Sequence, residues 1–366
     1  MDDRPLKRFN PLLVSLTVKP TAMVRSATPI HAAELLRRLA EDSALVHDDV
    51  VQNDFLDSDD DADDTSADSD SPLLDGYFES GGSDAVVTLT NFTLTEFHFL
   101  WAHVELELTS RWASGRGRKS TTTAKDASMM FLCVLKHYGT WQKHAIDFGF
   151  KAPTFEKMMY RVLEIVTPVL NKAFICPPSM ATQRANSSTF RHYPYALYAT
   201  DVKFQPALRP TGRFSEAKHY FSNKHKLYGL IVEASVAFPG RLVFLTNHTP
   251  GSVSDITIMA NHLKDHQRLL EKNNQERLIE DNGEGSEQYQ EAWAILADKG
   301  YQGGASMLRV IHPKKKPRNG ELTADELARN ARVSSNRVLV ENFFGRVCLL
   351  WKIMHSTYMW NEASFD

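Results

Sequence analysis

Three acidic residues far apart in the chain stand in segments able to fix them in space. Asp201 lies in LYATDVKF and Asp298 in AILADKGYQG, each at the end of an apolar, strand-like run, and Glu341 lies in the helix-like stretch RVLVENFFGR. They are separated by 97 and 43 positions, so only a folded domain can bring them together. Carboxylate oxygens are the ligands that hard divalent cations such as Mg²⁺ or Mn²⁺ take. Each acid alone reads as an ordinary surface charge; the three together could converge on one metal site.

The elements that must position them fall in a distinct part of the chain. ALYATDVKFQPAL, HKLYGLIVEASVAF and, after the turn PGR, LVFLTNHT are rich in Val, Leu, Tyr and Phe with short connections, the pattern of an antiparallel meander. PGSVSDITIMANHLKDHQRLLEK then reads as a helix, NNQERLIEDNGEGSEQYQ as a polar insertion and AWAILA as the strand ending at Asp298. Three strands, a helix, an acid-bearing strand and a late acid-bearing helix match the order of a ribonuclease-H-like α/β domain over residues 193–366. That is an analogy of fold and fixes no chemistry.

Residues 91–176 follow a helical grammar instead. Thr95 is placed to cap TLTEFHFLWAHVELEL, and KDASMMFLCVLKHYG carries Asp126 near its start. TWQKHAIDFG and APTFEKMMYRVLEIVTPVL flank a turn at Gly149, with Pro153 suited to a first helical turn. This is the outline of an all-α, helix-turn-helix-like DNA-binding unit whose second helix presents Lys151, Lys157 and Arg161 to DNA. A small bundle with an ordinary solvated basic face has the same outline. The Pro/Ser/Thr-rich stretch CPPSMATQRANSSTFRHYP separates the two regions.

Composition narrows the class. With 366 residues, 42% of them apolar, the chain can form two folded units and a tail. It has no run of about 18 consecutive apolar residues, and MDDRPLKRFN lacks the regions of a secretory signal, which predicts an intracellular protein. Cys133, Cys176 and Cys348 fit neither a disulfide framework nor a zinc pattern.

The formal net charge of −3 conceals an asymmetry. Residues 41–84 hold 16 acidic residues and no Lys or Arg, leaving 42 basic against 29 acidic residues elsewhere, a net of +13. Such a segment cannot bury enough apolar surface to offset chain entropy, so residues 1–90 are predicted to be largely disordered. The acidic stretch reads either as a solubilising spacer or as a tail shielding a basic face until nucleic acid displaces it. HPKKKPRNG, with Lys314, Lys315, Lys316 and Arg318, reads as a phosphate-binding loop, a nuclear import signal or a merely solvated loop, and GRGRKS at residues 115–120 suits nonspecific phosphate contacts.

TDVKF, PGSVSDITIM, LADKGYQG and VENFFGR resemble, in this order, successive blocks of the DDE superfamily endonuclease domain of Harbinger-type transposases, and the preceding helices resemble the helix-turn-helix region found before it. The resemblance spans roughly residues 93–360. It implies a transposase-like nuclease, with Asp201, Asp298 and Glu341 as its catalytic, metal-holding triad. The implied activity is cleavage, and also joining, of phosphodiester bonds at transposon-end DNA in the nucleus. In such chemistry two cations about 3.5–4 Å apart activate a water or 3′-hydroxyl and stabilise the leaving oxygen. The resemblance further implies a divalent Mg²⁺ or Mn²⁺ cofactor, DNA as substrate and a separate DNA-binding protein as partner; a homo-oligomer is left open, and the lack of a long apolar run predicts no membrane partner. Asp255, in the second block, competes with Asp298. It begins a helical pattern, where exposed N–H groups favour a carboxylate, and so reads as a cap or a residue supporting the metals from behind.

Three departures favour an alternative, a domesticated and catalytically inactive DNA-binding or scaffold protein derived from a transposase. DVKFQP stands where the family commonly has Asp-Gly-Thr, Cys348 stands seven positions after Glu341 where a basic residue is frequent, and the chain ends 25 residues after Glu341, which reads as C-terminal truncation. The presence of all three acids favours retained chemistry.

Overall fold

The computed structural model describes residues 70–114 and 120–366. The first 69 residues, with most of the acidic stretch, and nearly all of GRGRKS lie outside the described residues, and so do the expectations that fall on them. The described chain divides into two compact units, residues 70–173 with 349–353 and residues 174–348 with 354–366. No helix among the described residues is long and apolar enough to cross a membrane.

The first unit is all helix: α1 (Pro72–Thr90), α2 (Leu94–Trp112), α3 (Ala124–His137), α4 (Trp141–Asp147) and α5 (Ala152–Phe174). α1 corrects the expectation of disorder up to residue 90. Its acidic composition hides Leu74, Tyr77, Phe78, Val86 and Leu89, all buried, and it bends at Gly82, which takes the positive φ of 65° that other residues resist. The start of α1 is held by Asp126 of α3, which accepts hydrogen bonds from the amides of Leu73 and Leu74 at 3.1 Å. Burial pushes the Asp126 carboxyl up to about 6, against the pull of those amides. Thr93, not Thr95, caps α2, through a reciprocal capping box with Glu96. Gly149 sits between α4 and α5 with φ 75°, and Pro153 lies in the first turn of α5.

The second unit is a mixed α/β structure. After α6 (Met180–Ala185) come β1 (Ala196–Pro206), α7 (Phe214–His219), β2 (Phe221–Ser222), β3 (Leu227–Ala237), β4 (Arg241–Leu245) and β5 (Thr249–Pro250). α8 (Asp255–Asn261), α9 (Leu263–Leu270), β6 (Ala294–Leu296), β7 (Val310–Ile311) and α10 (Ala324–Leu350) follow. One sheet orders the strands β2-β3-β1-β6-β7, with β4 and β5 also on β3. β3 runs antiparallel to β1, β4 and β5, whereas β6 is parallel to both β1 and β7. The expected single helix after β5 is two, divided at His262.

The core packs Leu197, Tyr198, Val243, Ile295 and Trp293 from the sheet side with Met259, Leu269 and Leu270 of α8 and α9. Within it, Glu233 of β3 is fully buried yet fully paired: His266 lies at 2.7 Å, and the Tyr301 hydroxyl donates at 2.8 Å. Tyr198 bonds the other ring nitrogen of His266 at 2.9 Å. A buried carboxylate without such partners would cost several kcal/mol. Because Tyr301 closes the turn that begins at Asp298, this network also anchors that turn to β3.

Candidate active site

Strand register explains how two acids 97 positions apart meet. Ala199 of β1 pairs with Leu296 of β6 in parallel register, and Asp201 and Asp298 each lie two residues farther on, the spacing that returns to the same face. They therefore stand side by side where β6 ends. The third acid comes from α10, whose buried stripe runs through Val333, Asn336, Arg337, Val340, Phe343 and Val347. Glu341 flanks that stripe one helical turn after Arg337.

The three acids converge on Arg337. Its Nη1 lies 2.7 Å from Asp201 Oδ2, and its Nη2 lies 3.5 Å from Asp298 Oδ1 and 2.5 Å from Glu341 Oε1. Burial opposes the charge of the guanidinium, but Asp201 first, then Asp298 and Glu341, hold its pKa above the ordinary value. Its Nε is buried without a hydrogen-bond partner among the described residues. The acids grade outward, from 19% side-chain exposure at Asp201 through 39% at Asp298 to 51% at Glu341, so the cluster is reachable from solvent.

Asp255 belongs to the same neighbourhood without sharing the arginine. Burial raises its carboxyl pKa; Lys224 opposes that shift, and the charges of Asp201 and Asp298 add to it. Ser254 occupies the position before α8, and Asp255 is the helix's first residue. A Cβ on Gly300 would overlap the Asp255 carboxylate, so the glycine two positions after Asp298 lets Asp255 pack against that turn.

Oxygen-only donors and an excess of negative charge suit a hard divalent cation, and Arg337 already stands in for one. Among the described residues, no three His, Cys, Asp or Glu side chains form a ready metal-holding group; the three carboxylates instead share the guanidinium of Arg337. A cation held by all three would take the place of that guanidinium. With that condition, Asp201, Asp298 and Glu341 fit the role of ligands.

Residues 200–362 match the family model of the DDE superfamily endonucleases. The match takes in Asp201, Asp255, Asp298, Arg337 and Glu341, and at the level of this family it supports a transposase-like nuclease acting on DNA, in a superfamily generally dependent on divalent metal. No curated protein and no solved structure matches the chain.

Lys314 pairs with Glu326 at 3.1 Å and Lys316 with Glu321, while Lys315 and Arg318 are exposed and form no ion pair among the described residues. In the helical unit Lys151 and Lys157 are exposed. Arg161 is engaged within its own unit: it donates to the carbonyls of Arg111 and Ser114, the latter at 2.9 Å, and lies over the Trp112 ring. Sequence reasoning missed Arg337, although an arginine four residues before Glu341 on one helix face was a readable signal.

Proposed function

We propose that this chain carries a ribonuclease-H-like nuclease domain that cleaves DNA phosphodiester bonds with divalent cations held by Asp201, Asp298 and Glu341. The observation that carries the reading is the convergence of three acids, from β1, the turn after β6 and α10, on a single cation. The antiparallel β4-β3-β1 meander continued by parallel β6 and β7 supports the fold assignment. When bound, Mg²⁺ or Mn²⁺ supplies charge neutralisation at the phosphate and an activated water or 3′-hydroxyl. The chain's own part is to hold the carboxylates on rigid elements, where their spacing is set by strand register and helix packing. Transposon ends as substrate, joining as well as cleavage, a nuclear location, a separate DNA-binding partner and DNA contacts by α5 extend this reading along the Harbinger-type resemblance.

The test is metal-dependent nicking of supercoiled DNA. Wild type is expected to nick with Mn²⁺, and Asp201→Ala, Asp298→Ala and Glu341→Ala each to lose nicking while keeping DNA affinity. Nicking that survives Asp298→Ala would overturn the assignment. A second reading, a retained DNA-binding scaffold, is favoured by Arg337, since an acid cluster satisfied by an internal cation needs no metal. Protein that binds element-end DNA yet never cuts it in the presence of Mn²⁺ would establish that second reading.

A further inference from the structure

A cavity of about 580 Å³ opens beside the acid cluster, lined by Asp255 and Glu341 and also by Lys203, Phe204, Lys224 and His225. Lys224 and His225 belong to the tip of the β2–β3 hairpin, where Asn-Lys-His-Lys follows the Ser222↔Leu227 and Phe221↔Tyr228 pairing. Ser222 holds that tip: its carbonyl accepts from the Lys226 amide at 2.8 Å and its hydroxyl from the His225 amide at 3.3 Å. The tip folds onto the strand that carries Asp201. The exposed His225 ring lies flat on Phe204, with centroids 4.4 Å apart and planes within 8°.

Phe204 in turn lies against bare backbone. A Cβ on Gly229 would stand 2.5 Å from its ring and one on Gly251 3.0 Å, so these two glycines keep the space the ring occupies. Burial, then Lys224 and Lys203, lower the His225 pKa, so the charged form of the ring is disfavoured beside two cations. Neither Lys203 nor Lys224 forms an ion pair among the described residues. A stacked aromatic pair with unpaired lysines beside it is the combination that binds single-stranded nucleic acid, because every base has a π face and every nucleotide a phosphate.

We propose that this cavity holds one unpaired nucleotide of the DNA strand lying at the acid site, with its base stacked on the His225–Phe204 pair and its phosphates at Lys203 and Lys224. The inference rests on the nuclease reading and specifies its substrate: DNA that is locally unpaired beside the reacting bond. The volume falls in the range of about 300–1,000 Å³ of small-ligand pockets. The lysines attract a phosphate, whereas Asp255 and Glu341 repel one unless a cation intervenes. A paired base would have to leave its stack to enter, so duplex DNA gains nothing from the cavity unless a nucleotide is extruded.

The experiment titrates full-length protein, in EDTA to prevent turnover, into duplex DNA carrying one unpaired 2-aminopurine nucleotide. Wild type is expected to quench the label through stacking and a fully paired control to show little quenching. His225→Ala should remove most of the quenching and weaken binding about tenfold, within the range for losing one stacked base. Lys224→Ala should keep the quenching and lower the salt dependence by about one phosphate contact. His225 is exposed, so its truncation leaves the core intact, and circular dichroism verifies the fold. Equal quenching and affinity in wild type and His225→Ala would overturn the inference while leaving the nuclease reading untouched. Stacking without nicking under Mn²⁺ would support the cavity and defeat the nuclease reading. Absence of DNA binding by wild type would defeat both.

Discussion

The α/β unit contains two arginine–carboxylate clusters built in opposite proportions. In one, Asp281 is shared by two cations: Arg309 reaches it through both terminal nitrogens at 2.5 and 2.9 Å, and Lys272 at 2.8 Å. Two further Arg309 donors are used as well, Nε on the Glu284 carbonyl at 2.9 Å and Nη1 on that of Ala292 at 3.1 Å. Arg309 also lies over Tyr195 and Lys272 over Trp293. All three charged side chains are at most 5% exposed. In the other cluster one arginine faces three carboxylates, its Nε is unpartnered among the described residues, and two of the acids are more than a third exposed.

The difference separates cohesion from function. A buried ion cluster, closed off from solvent, ties the polar insertion at Asp281 to the strand region of Arg309. The open cluster carries surplus negative charge toward solvent around an incompletely satisfied cation. Such a surplus of exposed carboxylates leaves room for a further cation, which marks the cluster as a candidate for function.

The comparison is broken most severely by removing the closed cluster's single acid. Asp281→Ala strands two buried cations and should cost about 3–5 kcal/mol, measured by denaturant unfolding. Burial pushes the Asp281 carboxyl up, but Arg309 and Lys272 overcome it and hold the value at about 2. Its folded pKa lies below the unfolded one, near 3.9. The stability it contributes is therefore present above about pH 4 and lost as pH falls through about 2. An Asp281→Asn variant should show a flatter acid profile in that window.

A smaller loss, about 1–3 kcal/mol, is expected for Tyr301→Phe, which leaves one oxygen of the buried Glu233 without its donor. Because Tyr301 closes the Asp298 turn, the same variant should reduce nicking more than its stability loss explains.

The smallest stability change belongs to the open cluster. Arg337→Leu removes the buried guanidinium's desolvation cost along with its ion pairs, so it should lower metal-free stability by less than Asp281→Ala does, and should tighten Mn²⁺ binding tenfold or more, since removing a unit charge about 4 Å away is worth about 1–4 kcal/mol. A loss as large as that of Asp281→Ala would make both clusters structural.

The sequence displayed the acids but not their counter-ion. Asp201, Asp298 and the meander were legible because strand-like runs of Val, Leu, Tyr and Phe ended at carboxylates, and Glu341 because it followed a helical pattern. Arg337 escaped because a helix-borne arginine reads as solvated surface until the strands that face it are placed. α1 escaped for the opposite reason: averaging over an acidic window concealed a short apolar stripe. The tip Asn-Lys-His-Lys was invisible as a site, since its meaning depends on Phe204 and two glycines brought beneath it by pairing between β1, β3 and β5.

The most direct test of the account is calorimetric titration of Mn²⁺ into wild-type protein and into Asp298→Asn. The expected result is saturable binding by wild type that Asp298→Asn weakens severely without unfolding the protein. Absence of binding by wild type at millimolar Mn²⁺, or binding that Asp298→Asn leaves unchanged, would contradict the claim that Asp201, Asp298 and Glu341 form a cation site.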